Sequence, residues 1–99
     1  MVLVIRSFAD KLTADVFYGK ATARARRVPS DVMKAISRKL AQLDAVVRLD
    51  DLRVPPGNRL EALRGDRAGS HSIRVNDQWR IVFRWDADGA HDVELTDYH

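Results

Sequence analysis

Four arginines, Arg64, Arg74, Arg80 and Arg84, and the closing triplet Asp97-Tyr98-His99 are the residues of this chain best suited to phosphodiester chemistry. A guanidinium holds a phosphate through paired N–H donors and stabilises charge that builds on it during displacement. An imidazole titrates near neutral pH and suits proton transfer, while a carboxylate and a phenol can orient the nucleophile or share the proton traffic. RNA carries its own nucleophile in the 2′-hydroxyl, so a base, a cation and an acid for the leaving oxygen would be enough. No metal or other cofactor is expected. Glu61 is a further candidate base, or else an ion partner for Arg64 or Arg80. A plainer reading of the tail also stands, because a C-terminal Asp-Tyr-His is more often frayed chain than machinery.

Positioning these groups falls to strands. Trp79, Ile81, Phe83 and Trp85 alternate with Arg80, Val82 and Arg84, the period of two of a strand buried on one face and open on the other. Ile73 and Val75 continue the apolar face, Ser72 and Arg74 the polar one, and Asn76-Asp77-Gln78 separates the two runs as a turn does. A two-residue turn would set Ile73 against Arg80 on one face. A three-residue connection sets Val75 opposite Trp79, Ile73 opposite Ile81 and Arg74 opposite Arg80. Two facing arginines repel, which points to an anion lying across them. By the same parity Val93 and Leu95 of the last strand point inward and Glu94, Thr96 and Tyr98 outward, and His71 falls on the core side.

The remaining elements follow from pattern and punctuation. Val2-Leu3-Val4-Ile5 reads as a first strand, cut off by Arg6 and far short of a membrane span or a signal sequence. Ser7, three residues before Asp10, resembles a weakened capping box ahead of a helix carrying Phe8, Leu12 and Val16 and ending near Gly19. The segment Lys20 to Arg27, with Lys20 and Arg24, is either a solvated connection or a phosphate-contacting loop. Pro29 and Ser30 open a second helix with Val32, Ile36, Leu40, Leu43 and Val47 on one stripe. Pro55-Pro56-Gly57-Asn58 then breaks any helix. Leu60 and Leu63 have opposite strand parity, so a bulge is expected between Arg59 and Arg64. The order strand, helix, helix, strands is α+β, with two antiparallel helices on one face of a mainly antiparallel sheet.

Length and composition bound the function. Ninety-nine residues make one domain, residues 1–99, with little surplus stability. A net charge of +3 permits a polyanion partner without demanding one. The absence of cysteine removes disulfides, thiol nucleophiles and thiolate zinc sites, which suits a reducing cytoplasm. Phosphate loops, dinucleotide fingerprints and serine nucleophile elbows are missing.

The stretch LEALRGDRAGSHSIRVNDQWRIVFRW, the upstream DLRVPPGNRL and the closing DVELTDYH resemble the HigB-type toxins of the RelE/ParE superfamily, from bacterial type II toxin–antitoxin systems. The resemblance covers nearly the whole chain. It implies a RelE-like fold and a ribosome-dependent endonuclease that cuts translated mRNA. The implied partner is a HigA-type helix-turn-helix antitoxin, through which the toxin meets operator DNA. It also implies that Arg80 stabilises the phosphate, that Arg64 lines the site, and that Asp97, Tyr98 and His99 form the catalytic end. Where some members carry a histidine after the Pro-Gly loop, this chain has Glu61. Two other readings remain at this point: a ParE-like toxin that binds DNA gyrase and cuts no RNA, and a basic module acting only in an antitoxin–operator complex.

Overall fold

The computed structural model describes residues 4–97; Val2, Leu3, Tyr98 and His99, on which some of the readings above fall, lie outside them. Helix α1 spans Lys11–Tyr18 and α2 Ser30–Ala45. Strands β1 (Glu61–Ala62), β2 (Ser70–Arg74), β3 (Trp79–Asp86) and β4 (Gly89–Asp97) form one antiparallel sheet in the order β1-β2-β3-β4. The side chains of α2 and the odd-numbered face of β3 share a single core, in which Ile36, Leu40, Leu43, Ile73, Ile81, Phe83 and Val93 are fully buried.

Helix α1 begins at Asp10, whose carboxylate accepts the Thr13 backbone N–H at 2.8 Å, and stops at Gly19 in the left-handed conformation (φ 70°). The expected role of Ser7 as cap is corrected here. Its hydroxyl instead accepts the Asp92 backbone N–H at 2.8 Å, because the chain before Asp10 runs alongside β4. Asp10→Ala should cost about 1 kcal/mol, the usual worth of an aspartate cap. Urea unfolding at constant slope measures it, and an unmoved midpoint would show that Asp10 does not cap.

The α2 stripe holds at Ile36, Leu40 and Leu43, but Val47 is 85% exposed. The helix ends at Ala45, the next residue is extended, and Val46 takes the inward position that helical spacing had assigned to Val47. Past the two prolines the side chain of Asn58 is wholly buried, donating to the Leu52 carbonyl at 3.0 Å and to Gln42 Oε1 at 3.2 Å, with Lys39 donating to its amide oxygen. Burial, and then the nearby charge of Arg38, hold the Lys39 ammonium below the usual lysine pKa.

The hairpin register is the one parity requires. Ile73 faces Ile81 and Arg74 faces Arg80, while Asn76 Oδ1 closes the three-residue connection by accepting the backbone N–H groups of Gln78 (2.9 Å) and Trp79 (2.7 Å). The bulge lies elsewhere than expected. β1 pairs regularly with β2 over its two residues, so Leu60 and Leu63 simply fall beyond its ends. The irregularity is in β4, where Asp92, at φ 52°, is an extra residue between the pairs Val82–Glu94 and Arg84–His91. The expected first strand is realised, among the described residues, as two isolated parallel bridges to β4, Ile5 to Ala90 and Phe8 to Val93. Asp44 of α2 holds this segment by accepting the N–H groups of Val4 and Ile5, each at 3.0 Å. At the β3–β4 turn Gly89 has φ 126°, and a Cβ there would stand 2.1 Å from the Val4 carbonyl oxygen, so only glycine fits.

Candidate nucleic-acid interface

Even-numbered residues of β3 face away from the helices, and the register arranges them in rows across the sheet. One row runs Arg74, Arg80, Thr96, and the next runs Glu61, Ser72, Val82, Glu94. Directly paired side chains in such rows stand about 4.5–5.5 Å apart at Cβ, so Arg80 is flanked by a second guanidinium stem and a hydroxyl. Arg74 is ion-paired to Asp77 within its own hairpin. The face is less open than alternation suggested. Val82 is only 2% exposed and Ser72 is fully buried, so between Arg80 and Glu61 the surface has an apolar and hydroxyl floor. Among the described residues, Ser72 Oγ and Thr96 Oγ1 are buried without a hydrogen-bond partner.

Of the residues assigned a role from the sequence, this face collects Arg74, Arg80 and Glu61, with exposed Arg64 at the start of the β1–β2 connection. Arg84 shares the face, but its guanidinium is held by Asp86 at 3.0 Å and Asp92 at 3.2 Å. The hydrogen bond to Asp92, and then the charge of Asp86, raise its pKa further against partial desolvation. It is therefore a neutralised cation, and the bulge that brings Asp92 to it had no counterpart in the sequence reading. Asp97, exposed at the end of β4, pairs with Trp79 one position along from the Arg80–Thr96 pair and accepts from Gln78 Nε2 at 3.2 Å. Tyr98 and His99 lie outside the described residues.

Lys20 and Arg24 belong to the helix layer, across the core from Arg80. Arg24 pairs with Asp15 of α1 at 3.1 Å, beside Thr22 at 2.7 Å, and Lys20 Nζ sits 6.0 Å from the Tyr18 ring centre. Their connection is not simply a solvated loop, since Ala25 and Val28 enter the core. His71 stacks on Phe83 on the core side, as parity indicated. Sequence reasoning missed Arg67 and Glu94, which bond across the polar face at 3.0 Å. Their available signal was the outward parity of Glu94.

His91 was uninformative in the sequence. It lies 2.7 Å from Asp88 and 3.8 Å from Asp86 at the β3–β4 turn, the one set among the described residues with ligand-bearing atoms close enough to share a cation. The hydrogen bond from His91 foremost, together with its charge, holds the Asp88 carboxyl below the usual range against partial desolvation. The turn lies at the far end of β3 from Arg80 and is separate from the phosphate face.

A family model described as RelE-like toxin of the type II toxin–antitoxin system HigB matches residues 6–99. The chain belongs to this HigB-like toxin family. Toxin HigB-1 of Vibrio cholerae is 52% identical over 62 residues, which span 63% of this chain and 65% of that protein. Endoribonuclease HigB of Proteus vulgaris is 30% identical over 96 residues, 97% of this chain and all of that one. Among solved structures, YafQ from E. coli superposes with a TM-score of 0.65 at 14% identity, over 94% of this chain and 90% of that one. The YoeB–YefM complex from Staphylococcus aureus gives 0.59 at 16% identity, over 96% and 97%. At such identities these two establish the shared fold, two helices on an antiparallel sheet. As a HigB-like toxin, the chain has its conspicuous cationic row on the sheet face that the helices leave uncovered.

Proposed function

We propose that this HigB-like toxin is an endoribonuclease that cuts mRNA on the ribosome and is neutralised by a HigA-type antitoxin. The observation that carries the reading is the row Arg74–Arg80–Thr96 across β2, β3 and β4: two cation-bearing residues and a hydroxyl side by side, the last of them on the strand whose sequence continues into Asp97-Tyr98-His99. The name of the Proteus relative, an endoribonuclease aligned along its full length, supports the reaction class. Arg80 binds the scissile phosphate, with Arg64 and Arg74 on its neighbours. A base drawn from Glu61 or the terminal triplet takes the 2′-hydroxyl proton, and the 2′-oxygen attacks phosphorus as the bond to the 5′-oxygen breaks. His99 returns a proton to that leaving oxygen. The products are a 2′,3′-cyclic phosphate and a free 5′-hydroxyl.

So few groups cannot align a flexible message, so the ribosome supplies the geometry and the toxin acts in the cytoplasm. The antitoxin carries the toxin to operator DNA. The YoeB–YefM pairing is a case in which a protein of this fold sits with its partner. Expression of the chain alone should arrest growth, and co-expression of a helix-turn-helix antitoxin should restore it. In a purified translation system, wild-type protein should release fragments with 5′-hydroxyl ends from ribosome-bound mRNA. Harmless expression of folded protein, or fragments with 5′-phosphates, would overturn the proposal.

A further inference from the structure

We propose that Arg67 is a further phosphate-binding cation of the RNA site, beyond Arg64, Arg74 and Arg80, and that Glu94 is the residue that positions it. The inference rests on the endoribonuclease reading and adds a binding residue to it. Arg67 belongs to the 3-10 turn Gly65–Arg67 in the β1–β2 connection, yet its Nη1 donates to Glu94 Oε1, near the middle of β4, at 3.0 Å. That bond joins the β1–β2 connection to β4 across the face that bears Arg80. Glu94 is the cross-strand partner of Val82, and Val82 lies two residues beyond Arg80 on the same face. Glu94 is therefore a diagonal neighbour of Arg80, a relation that places residues about 7–8 Å apart. A guanidinium fixed there stands one short step along an extended RNA strand from the phosphate held at Arg80.

Two further observations favour binding over bracing. The pair is half open, with 45% of the Arg67 side chain and 29% of the Glu94 side chain exposed, and pairs so open contribute little to folding. The fold also already secures this region by other means, through the β2–β3 and β3–β4 ladders. What the bond does is give a long side chain a fixed heading, which reduces the rotamer freedom lost when RNA arrives. Glu94 further offsets one positive charge on a face that carries Arg67, Arg74 and Arg80, so the cluster is tolerable before RNA arrives.

The test separates binding from cutting. Wild type, Arg67→Ala, Glu94→Ala and Glu94→Gln are titrated with an uncleavable 2′-O-methyl RNA decamer at several salt concentrations, and each also cuts ribosome-bound mRNA. Arg67→Ala should lower the slope of log affinity against log salt by about 0.7, the loss of one single-strand phosphate contact. It should raise KM for cleavage severalfold with little change in kcat. Glu94→Ala should reproduce both effects, whereas Glu94→Gln, which keeps an oxygen to accept from Nη1, should restore the wild-type slope. An unchanged slope in Arg67→Ala, tighter binding by Glu94→Ala, or no measurable binding by wild type at low salt overturns the inference. Failure of wild type to cut while the slopes change as stated overturns the endoribonuclease reading instead.

Discussion

Replacing Arg80 with alanine lowers the rate of mRNA cleavage by about two to three orders of magnitude and leaves the fold intact. The size follows from what a pre-placed donor is worth when charge develops on oxygens in a site screened from water. Arg80 is half-buried over the Val82 floor and flanked by Arg74 and Thr96, so its cation is held in a less polar setting than a surface arginine. The loss should fall on kcat, because the charge it stabilises is greatest in the transition state. Arg80→Lys should recover part of the rate, keeping the charge and losing the planar fork. Single-turnover cleavage with saturating programmed ribosomes measures this directly. A rate within threefold of wild type for the alanine variant would place the phosphate elsewhere.

The second large effect is on the scaffold. Leu40 is fully buried between α2 and the sheet, so Leu40→Ala removes transfer energy and leaves a cavity, together about 2–5 kcal/mol. For a domain of this size that is a large share of the whole stability. Val47→Ala, beyond the end of α2 and solvent-exposed, should stay within about 0.5 kcal/mol of wild type. The contrast sets a buried aliphatic side chain against an exposed one. Equal denaturation midpoints for the two variants would refute the packing of α2 on the sheet.

The sequence exposes the hairpin register because parity allows only one arrangement of Ile73, Arg74, Arg80 and Ile81 around Asn76-Asp77-Gln78, and the structure has it. It exposes the inner stripe of α2 for the same reason: three residues at helical spacing meet one core. What escapes it are the features set by contacts between distant segments. Ser7 is drawn from its capping role by Asp92, 85 residues away, and Arg84 is neutralised by that same aspartate through a bulge. The change of inward parity from Ala90 to Val93 was the visible sign of that bulge. Arg67 and Glu94 are 27 residues apart and meet only because the β1–β2 connection reaches over the sheet.

The way the N-terminal segment borders β4 bears on self-association. A sheet that ends in unpaired backbone groups invites another chain to add a strand, the first step toward fibres and swapped dimers. Here Val4 and Ser7 accept the N–H groups of Ala90 and Val93 at 2.9 and 3.0 Å, and Arg6 and Ala9 donate to the carbonyls of those same two residues at 2.7 and 2.9 Å. Farther along, Thr13 Oγ1 takes the Leu95 N–H at 2.8 Å. The opposite border is β1, only two residues long. Along the described residues a foreign strand thus finds the β4 border already occupied and, on the other side, only the two residues of β1 as an outer strand.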